Sequence, residues 1–102
     1  MNKRLKHNNR IFIKTHFKTK FPIIFKKIPD KTSAEGLCYS PYGDKPRITI
    51  DRRLKKRRKL NVLIEEVSHA FFWDLPEYKV RKFSAELGKV IYKLFLKKHK
   101  KQ

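Results

Sequence analysis

The amino-acid sequence predicts an α+β fold in which a small antiparallel sheet packs against two C-terminal helices. Two patterns support this prediction. Apolar residues alternate with polar ones in much of the first half of the chain, as is typical of β-strands. After residue 59 they recur at three- and four-residue spacing, as is typical of helices with one buried face. A chain of 102 residues has room for one domain with a modest core.

Extended segments are expected at 11–13, 21–25, 37–40 and 47–50. The second contains Pro22, which favours an edge strand or an irregular segment over a central strand, because proline cannot donate a hydrogen bond to a neighbouring strand. The last two flank a loop that contains a glycine and two prolines, the pattern of a β-hairpin with a long connection. We therefore expect a small sheet whose last two strands are adjacent and antiparallel.

Two amphipathic helices are expected after this sheet, separated by a break at Pro76, which suits the first turn of a helix. The apolar stripe of the first helix consists of Leu60, Leu63, Ile64, Val67 and Phe71. The stripe of the second consists of Val80, Phe83, Leu87, Val90 or Ile91, and Leu94. The predicted organisation is a flexible basic arm at 1–10, a single domain at 11–96 and a basic tail at 97–102.

The net charge of +19 attracts polyanions, with nucleic acid first among them. One segment is almost entirely basic, and it contains Arg52, Arg53, Lys55, Lys56, Arg57, Arg58 and Lys59. It is interpreted either as a solvated connector or as a patch that contacts phosphates. Cys38 is the only cysteine, which excludes an intrachain disulfide and a cysteine-rich zinc site and favours a cytoplasmic protein. No apolar run approaches the roughly 20 residues that span a bilayer.

Four of the nine acidic residues lie close together between positions 65 and 77, although the chain is strongly basic. Glu65 and His69 are four residues apart on the first predicted helix and therefore share a face. Glu66 lies three residues before the same histidine. These carboxylates either form a solvated face that pairs with the basic segment or with Lys79 and Arg81, or they form a site with the histidine.

Residues 63–70 (Leu-Ile-Glu-Glu-Val-Ser-His-Ala) resemble the active-site helix of zincin metallopeptidases, particularly minimal phage-associated and SprT-like or ImmA-like domains. In those domains an apolar pair precedes the motif His-Glu-x-x-His. The resemblance extends over residues 36–94, because a hairpin precedes this helix and an amphipathic helix follows it. It implies a minimal zincin-like fold and, if a phage encodes the chain, a location in the host cytoplasm.

The resemblance also implies roles for individual residues. His69 corresponds to the second zinc ligand and Glu66 to the general base. Glu65 stands where the family has its first histidine, so the motif is degenerate, and the site is either an altered carboxylate-rich metal site or an inactive one. A third ligand is expected from Glu77, with Asp74 as the second candidate.

Two functions are therefore expected from the sequence. The first is that of a degenerate zincin-like metallopeptidase, with zinc as cofactor, a peptide or protein as substrate or partner, and a cleft between the edge strand at 48–50 and His69. The second is non-specific nucleic-acid binding through the basic segment and the lysine-rich tails. Cys38 is expected to be a small core residue rather than a nucleophile.

Overall fold

A computed structural model describes residues 11–97 of the chain. The elements are β1 (Ile11–Lys14), β2 (Lys20–Lys26), a 3₁₀ turn (Asp30–Thr32), β3 (Gly36–Cys38), β4 (Ile48–Asp51), α1 (Lys56–Phe71), α2 (Glu77–Ile91) and a π-helical turn (Tyr92–Leu96). The predicted α+β class is confirmed. The expected arm at 1–10, and the expected tail beyond residue 97, lie outside the described residues.

The four strands form one mixed sheet in the order β1-β2-β4-β3. The predicted hairpin is confirmed, because β3 pairs with β4 antiparallel. The sheet as a whole is not purely antiparallel, because β4 rather than β3 lies next to β2 and runs parallel to it. The hairpin folds back after β3, so its second strand takes the position beside β2.

The prediction that the segment with Pro22 is an edge strand or irregular is wrong. β2 lies between β1 and β4. Pairing with β4 begins at Ile23, the residue after Pro22. The proline therefore precedes the first position that pairs with β4, and an interior strand tolerates it there.

The core lies between the sheet and α1. Phe21, Ile48 and Ile50 are fully buried in the sheet, and Val62 and Ala70 of α1 belong to the same cluster. α1 begins four residues before its predicted apolar stripe, because the basic residues 56–59 form its first turn. Long basic side chains have good helix propensity, so the basic segment is only in part a connector.

α2 packs against a different side of α1 from the sheet. Its buried residues are Val80, Ser84 and Gly88. A Cβ atom at Gly88 would lie 2.9 Å from Oδ1 of Asn61, so the glycine permits close approach of the two helices. Apart from Val80 and the partly buried Ile91, the predicted apolar stripe of α2 is exposed. Between residues 11 and 97, no helix is long and apolar enough to cross a membrane.

Candidate metal centre

α1 and the first turn of α2 bring together the side chains that the sequence singled out. Glu65 and His69 are one turn apart on α1. Pro76 precedes α2, and its carbonyl oxygen accepts hydrogen bonds from the N–H groups of Lys79 and Val80. Because α2 returns along α1 from this point, Glu77 lies beside the C-terminal half of α1.

Three of these residues converge on one point. Nε2 of His69 lies 3.8 Å from Oε2 of Glu65. One potential ligand atom from each of Glu65, His69 and Glu77 lies within 4.8 Å of the other two. Glu65 and His69 are partly buried, whereas Glu77 is exposed. The structure thus brings together the three residues that the sequence suggested as metal ligands.

Arg81 contacts both carboxylates of this group. Its Nε lies 3.7 Å from Oε2 of Glu65, and its Nη2 lies 3.0 Å from Oε2 of Glu77. The guanidinium group is a cation that stabilises two neighbouring carboxylates and would compete with a metal ion for them. Of the basic neighbours considered from the sequence, Arg81 therefore pairs with these acidic residues. The same two carboxylates could bind a metal ion if Arg81 moved away from them.

Glu66 lies against the sheet beside this group. A Cβ atom at Gly36 would be 3.1 Å from Oε2 of Glu66, so the carboxylate is close to the backbone of β3. Burial, followed by the negative charges of Glu65 and Glu77, raises the pKa of Glu66 to about 7. A carboxylate with this pKa is suited to accept a proton near neutral pH.

A cleft of about 660 Å³ lies between α1, α2 and the start of β3. It is lined by all five of these side chains, Glu65, Glu66, His69, Glu77 and Arg81. The prediction that an edge strand at 48–50 forms one wall of the cleft is wrong. Among the described strands, β4 is an interior strand and β3 forms the edge on this side of the sheet. Gly36 of β3 lines the cleft instead. The other end of the cleft is basic, with Arg57, Arg58 and Lys89.

Two other residues considered from the sequence lie outside this group. Asp74 accepts a hydrogen bond of 2.8 Å from the hydroxyl of Tyr42, and this bond raises the pKa of Tyr42. Asp74 does not belong to the group of Glu65, His69 and Glu77, whose donor atoms lie close enough to hold a metal. Burial, together with the charge of Glu66, raises the pKa of Cys38 to about 12, so its thiol remains protonated and unreactive at neutral pH.

The donor set suits a divalent ion with a preference for nitrogen and oxygen. Zinc binds imidazole nitrogen and carboxylate oxygen at about 2.0–2.2 Å, which places the ligands of a tetrahedral ion roughly 3.4 Å apart. The side chains of Glu65 and Glu77 would have to move inward by about 1 Å and leave Arg81. Such a shift requires only rotation of side chains at a partly open site.

The basic segment is divided between paired and exposed side chains. Arg53 binds Asp51 and Asp30 at 2.7 and 3.0 Å and also donates to the carbonyl oxygen of Ile28. These bonds hold the pKa of Asp51 well below its usual range. Arg58 pairs with Glu35. Four members of the segment are exposed and have no carboxylate within 4 Å among the residues that the structure describes. They are Arg52, Lys55, Lys56 and Arg57.

Comparisons of this chain with protein-family models, with curated proteins and with solved structures found no match.

Proposed function

We propose that the cleft binds one divalent metal ion through Glu65, His69 and Glu77, and that the chain is a zincin-related metallopeptidase with an altered first ligand. The convergence of three donor atoms within 4.8 Å carries this proposal. The sequence resemblance and the neighbouring Glu66 support it. Zinc is the expected ion, at lower affinity than in a site with two histidines, because a carboxylate replaces a nitrogen donor.

Each side chain has a distinct part in this proposal. Glu65, His69 and Glu77 would hold the ion, which would supply a Lewis acid to polarise a peptide carbonyl group. Glu66 accepts a proton at its carboxylate near neutral pH, because burial has raised its pKa to about 7. Arg81 neutralises Glu65 and Glu77, and it would have to move away for these carboxylates to bind an ion.

A peptide segment is the substrate or partner that the cleft fits best. Among the described strands, β3 forms the edge of the sheet beside the cleft, so its outer backbone groups are available to pair with an extended peptide. Gly36 lines the cleft and presents no side chain to such a peptide. An added strand would pass beside Glu66 and the three ligands.

Titration of purified, metal-free protein with zinc by calorimetry tests the proposal. We expect one equivalent of zinc to bind, more tightly than manganese, and to be removed by a chelator. Asp74→Asn is a matched control, because it removes an acidic group near Glu77 that the structure places outside the ligand group. The absence of binding at saturating zinc would refute the proposal, and a large loss in the control would show that the ligands are misassigned.

Non-specific binding of nucleic acid is a second candidate function. Arg52, Lys55, Lys56 and Arg57 are exposed and lie close together before and within the first turn of α1. Arg57 also stacks on the ring of Tyr92, at 3.7 Å from the guanidinium carbon to the ring centroid, which holds its position. Such a patch is suited to contact phosphates without selecting bases.

The salt dependence of binding to duplex DNA measures this second function. Replacing both Arg52 and Lys56 with glutamine should lower the slope of log K against log salt concentration by about 2, because each contact with a phosphate releases about one counterion. Lys82→Gln is the control, because Lys82 lies on α2 and pairs with Glu86. An affinity for DNA that does not change with salt would rule this function out.

A further inference from the structure

Apolar side chains form an exposed row along α2 and the π-helical turn that continues it. The row consists of Phe83, Leu87, Val90 and Leu94, which are 46, 38, 51 and 65% exposed, respectively. Spacings of four, three and four residues place them on one face of the helix. We call this row the α2 stripe. A sequence-based prediction would place such a row in the core, yet it faces solvent.

The α2 stripe is separate from the candidate metal centre. α2 contacts α1 through the face that contains Val80, Ser84 and Gly88, and that face is roughly 100° around the helix from the stripe. Ala85 lines the cleft, and it lies about 200° around the helix from Phe83. The ring of Phe83 packs edge-to-face on Phe72 at 5.3 Å, so the stripe is anchored at one end to the folded domain.

Lysines border the stripe on the outer side of α2. They are Lys79, Lys82, Lys93 and Lys97, and one acidic residue, Glu86, lies among them. Glu86 is within 3.3 and 3.1 Å of the amino groups of Lys82 and Lys89, so its charge is already neutralised. Lysine side chains at such a border can lay their apolar stems along a hydrophobic surface and keep their amino groups in water.

We infer that the α2 stripe docks the protein onto an anionic lipid surface. An amphipathic helix that combines an apolar face containing phenylalanine and leucine with a lysine-rich polar face binds in the plane of a membrane interface. The lysine border is complementary to anionic headgroups. The stripe lines neither the cleft at the metal centre nor the smaller depression beside Arg53.

Association of two copies of the chain through the α2 stripe is less favourable than binding to an anionic lipid surface. It would bring two lysine-bordered faces together in a chain of net charge +19, and the repulsion between them would oppose the contact. A lipid surface supplies the opposite charge. The lysine border therefore favours a lipid surface over a second copy, and self-association is an outcome that the experiment can detect.

Co-sedimentation with lipid vesicles tests this inference on the full chain. The probes are vesicles of phosphatidylcholine alone and vesicles that contain about one third phosphatidylglycerol. We expect binding only to the anionic vesicles, and a decrease of at least about tenfold in the partition coefficient when Val90 and Leu94 are both changed to glutamine. Phe12→Gln is the matched control, because Phe12 is similarly exposed at 48% but lies on β1. It should bind as the unchanged chain does.

Charge alone would also attract this protein to anionic vesicles, so salt separates the two contributions. Binding through the stripe should persist in part at about 0.5 M salt, where exposed charges are strongly screened. Equal binding by the double variant and the unchanged chain would overturn the inference, as would a lack of binding to either kind of vesicle. A dimer in sedimentation velocity that the double variant converts to a monomer would assign the stripe to self-association instead.

Discussion

Replacing Glu65 with histidine is expected to raise the affinity of the protein for zinc by at least about tenfold. The change restores a second imidazole one turn before His69, and zinc favours nitrogen donors over carboxylates in sites of this kind. It also removes one of the two carboxylates that hold Arg81, so the competing guanidinium group is bound less firmly. Calorimetric titration of the variant and the unchanged chain measures the difference.

The control for this substitution is Tyr78→His. It adds a histidine beside Glu77 without changing the formal charge. The side chain at this position is 71% exposed and is not one of the three proposed ligands. Its zinc affinity should stay within about twofold of that of the unchanged chain. His69→Ala should remove detectable binding from both the unchanged chain and the Glu65→His variant. An affinity that does not increase in Glu65→His would mean that the motif has been aligned incorrectly.

The second large effect is expected at Glu66. In metal-free protein at about pH 8, Glu66→Gln should raise the free energy of unfolding by about 2 kcal/mol, because it removes a partly buried negative charge beside Glu65 and Glu77. The effect is smaller than the full pKa shift would give, since part of the carboxyl group reaches water. The same variant should lose any peptidase activity, because it lacks the proton acceptor.

The pH dependence of this effect has a definite sign. The pKa of Glu66 is raised from 4.5 to about 7 in the folded protein. The unfolded chain therefore loses this proton first, and stability falls as the pH rises from about 4.5 to about 7. Urea denaturation in a chelating buffer should show this fall in the unchanged chain, and Glu66→Gln should remove it.

Glu86→Gln is the appropriate control for the pH series. Glu86 is exposed and pairs with Lys82 and Lys89, and these bonds lower its pKa. Removing it should not stabilise the protein at any pH. A parallel fall in stability for Glu66→Gln and the unchanged chain would show that another group causes it and that Glu66 is not held in a buried position.

The convergence of Glu65, His69 and Glu77 was predictable from the sequence because its geometry is local. Glu65 and His69 share a face through their four-residue spacing, and Pro76 marks the turn that sets Glu77 beside them. The β3–β4 hairpin was predictable for the same reason, since its two strands are neighbours in the sequence. In each of these cases a short-range pattern determines which side chains meet.

The features that the sequence did not predict depend on long-range packing. Alternation of apolar residues indicates a strand but does not specify its neighbours, so the parallel pairing of β2 with β4 and the edge position of β3 were not foreseen. Helical periodicity likewise indicates which residues share a face but not which face is covered. α2 contacts α1 through small residues such as Ser84 and Gly88, which leaves the larger apolar residues outside.

The burial of Glu66 is another consequence of long-range packing. It depends on the approach of β3 to α1, where a Cβ atom at Gly36 would lie only 2.5 Å from Cγ1 of Val62. The glycine at this position lets the strand and the helix come close enough to cover the carboxylate. Two adjacent glutamates in a sequence give no sign of which one faces the sheet.

Crystallographic location of zinc by anomalous scattering tests the proposed metal centre most directly. A crystal of the full chain grown with zinc should show an anomalous peak at about 2.0–2.2 Å from Nε2 or Nδ1 of His69 and from a carboxylate oxygen of both Glu65 and Glu77, with Arg81 displaced. A zinc ion held elsewhere, or no ion within this group while Arg81 still bridges the two glutamates, would contradict the proposed metal centre.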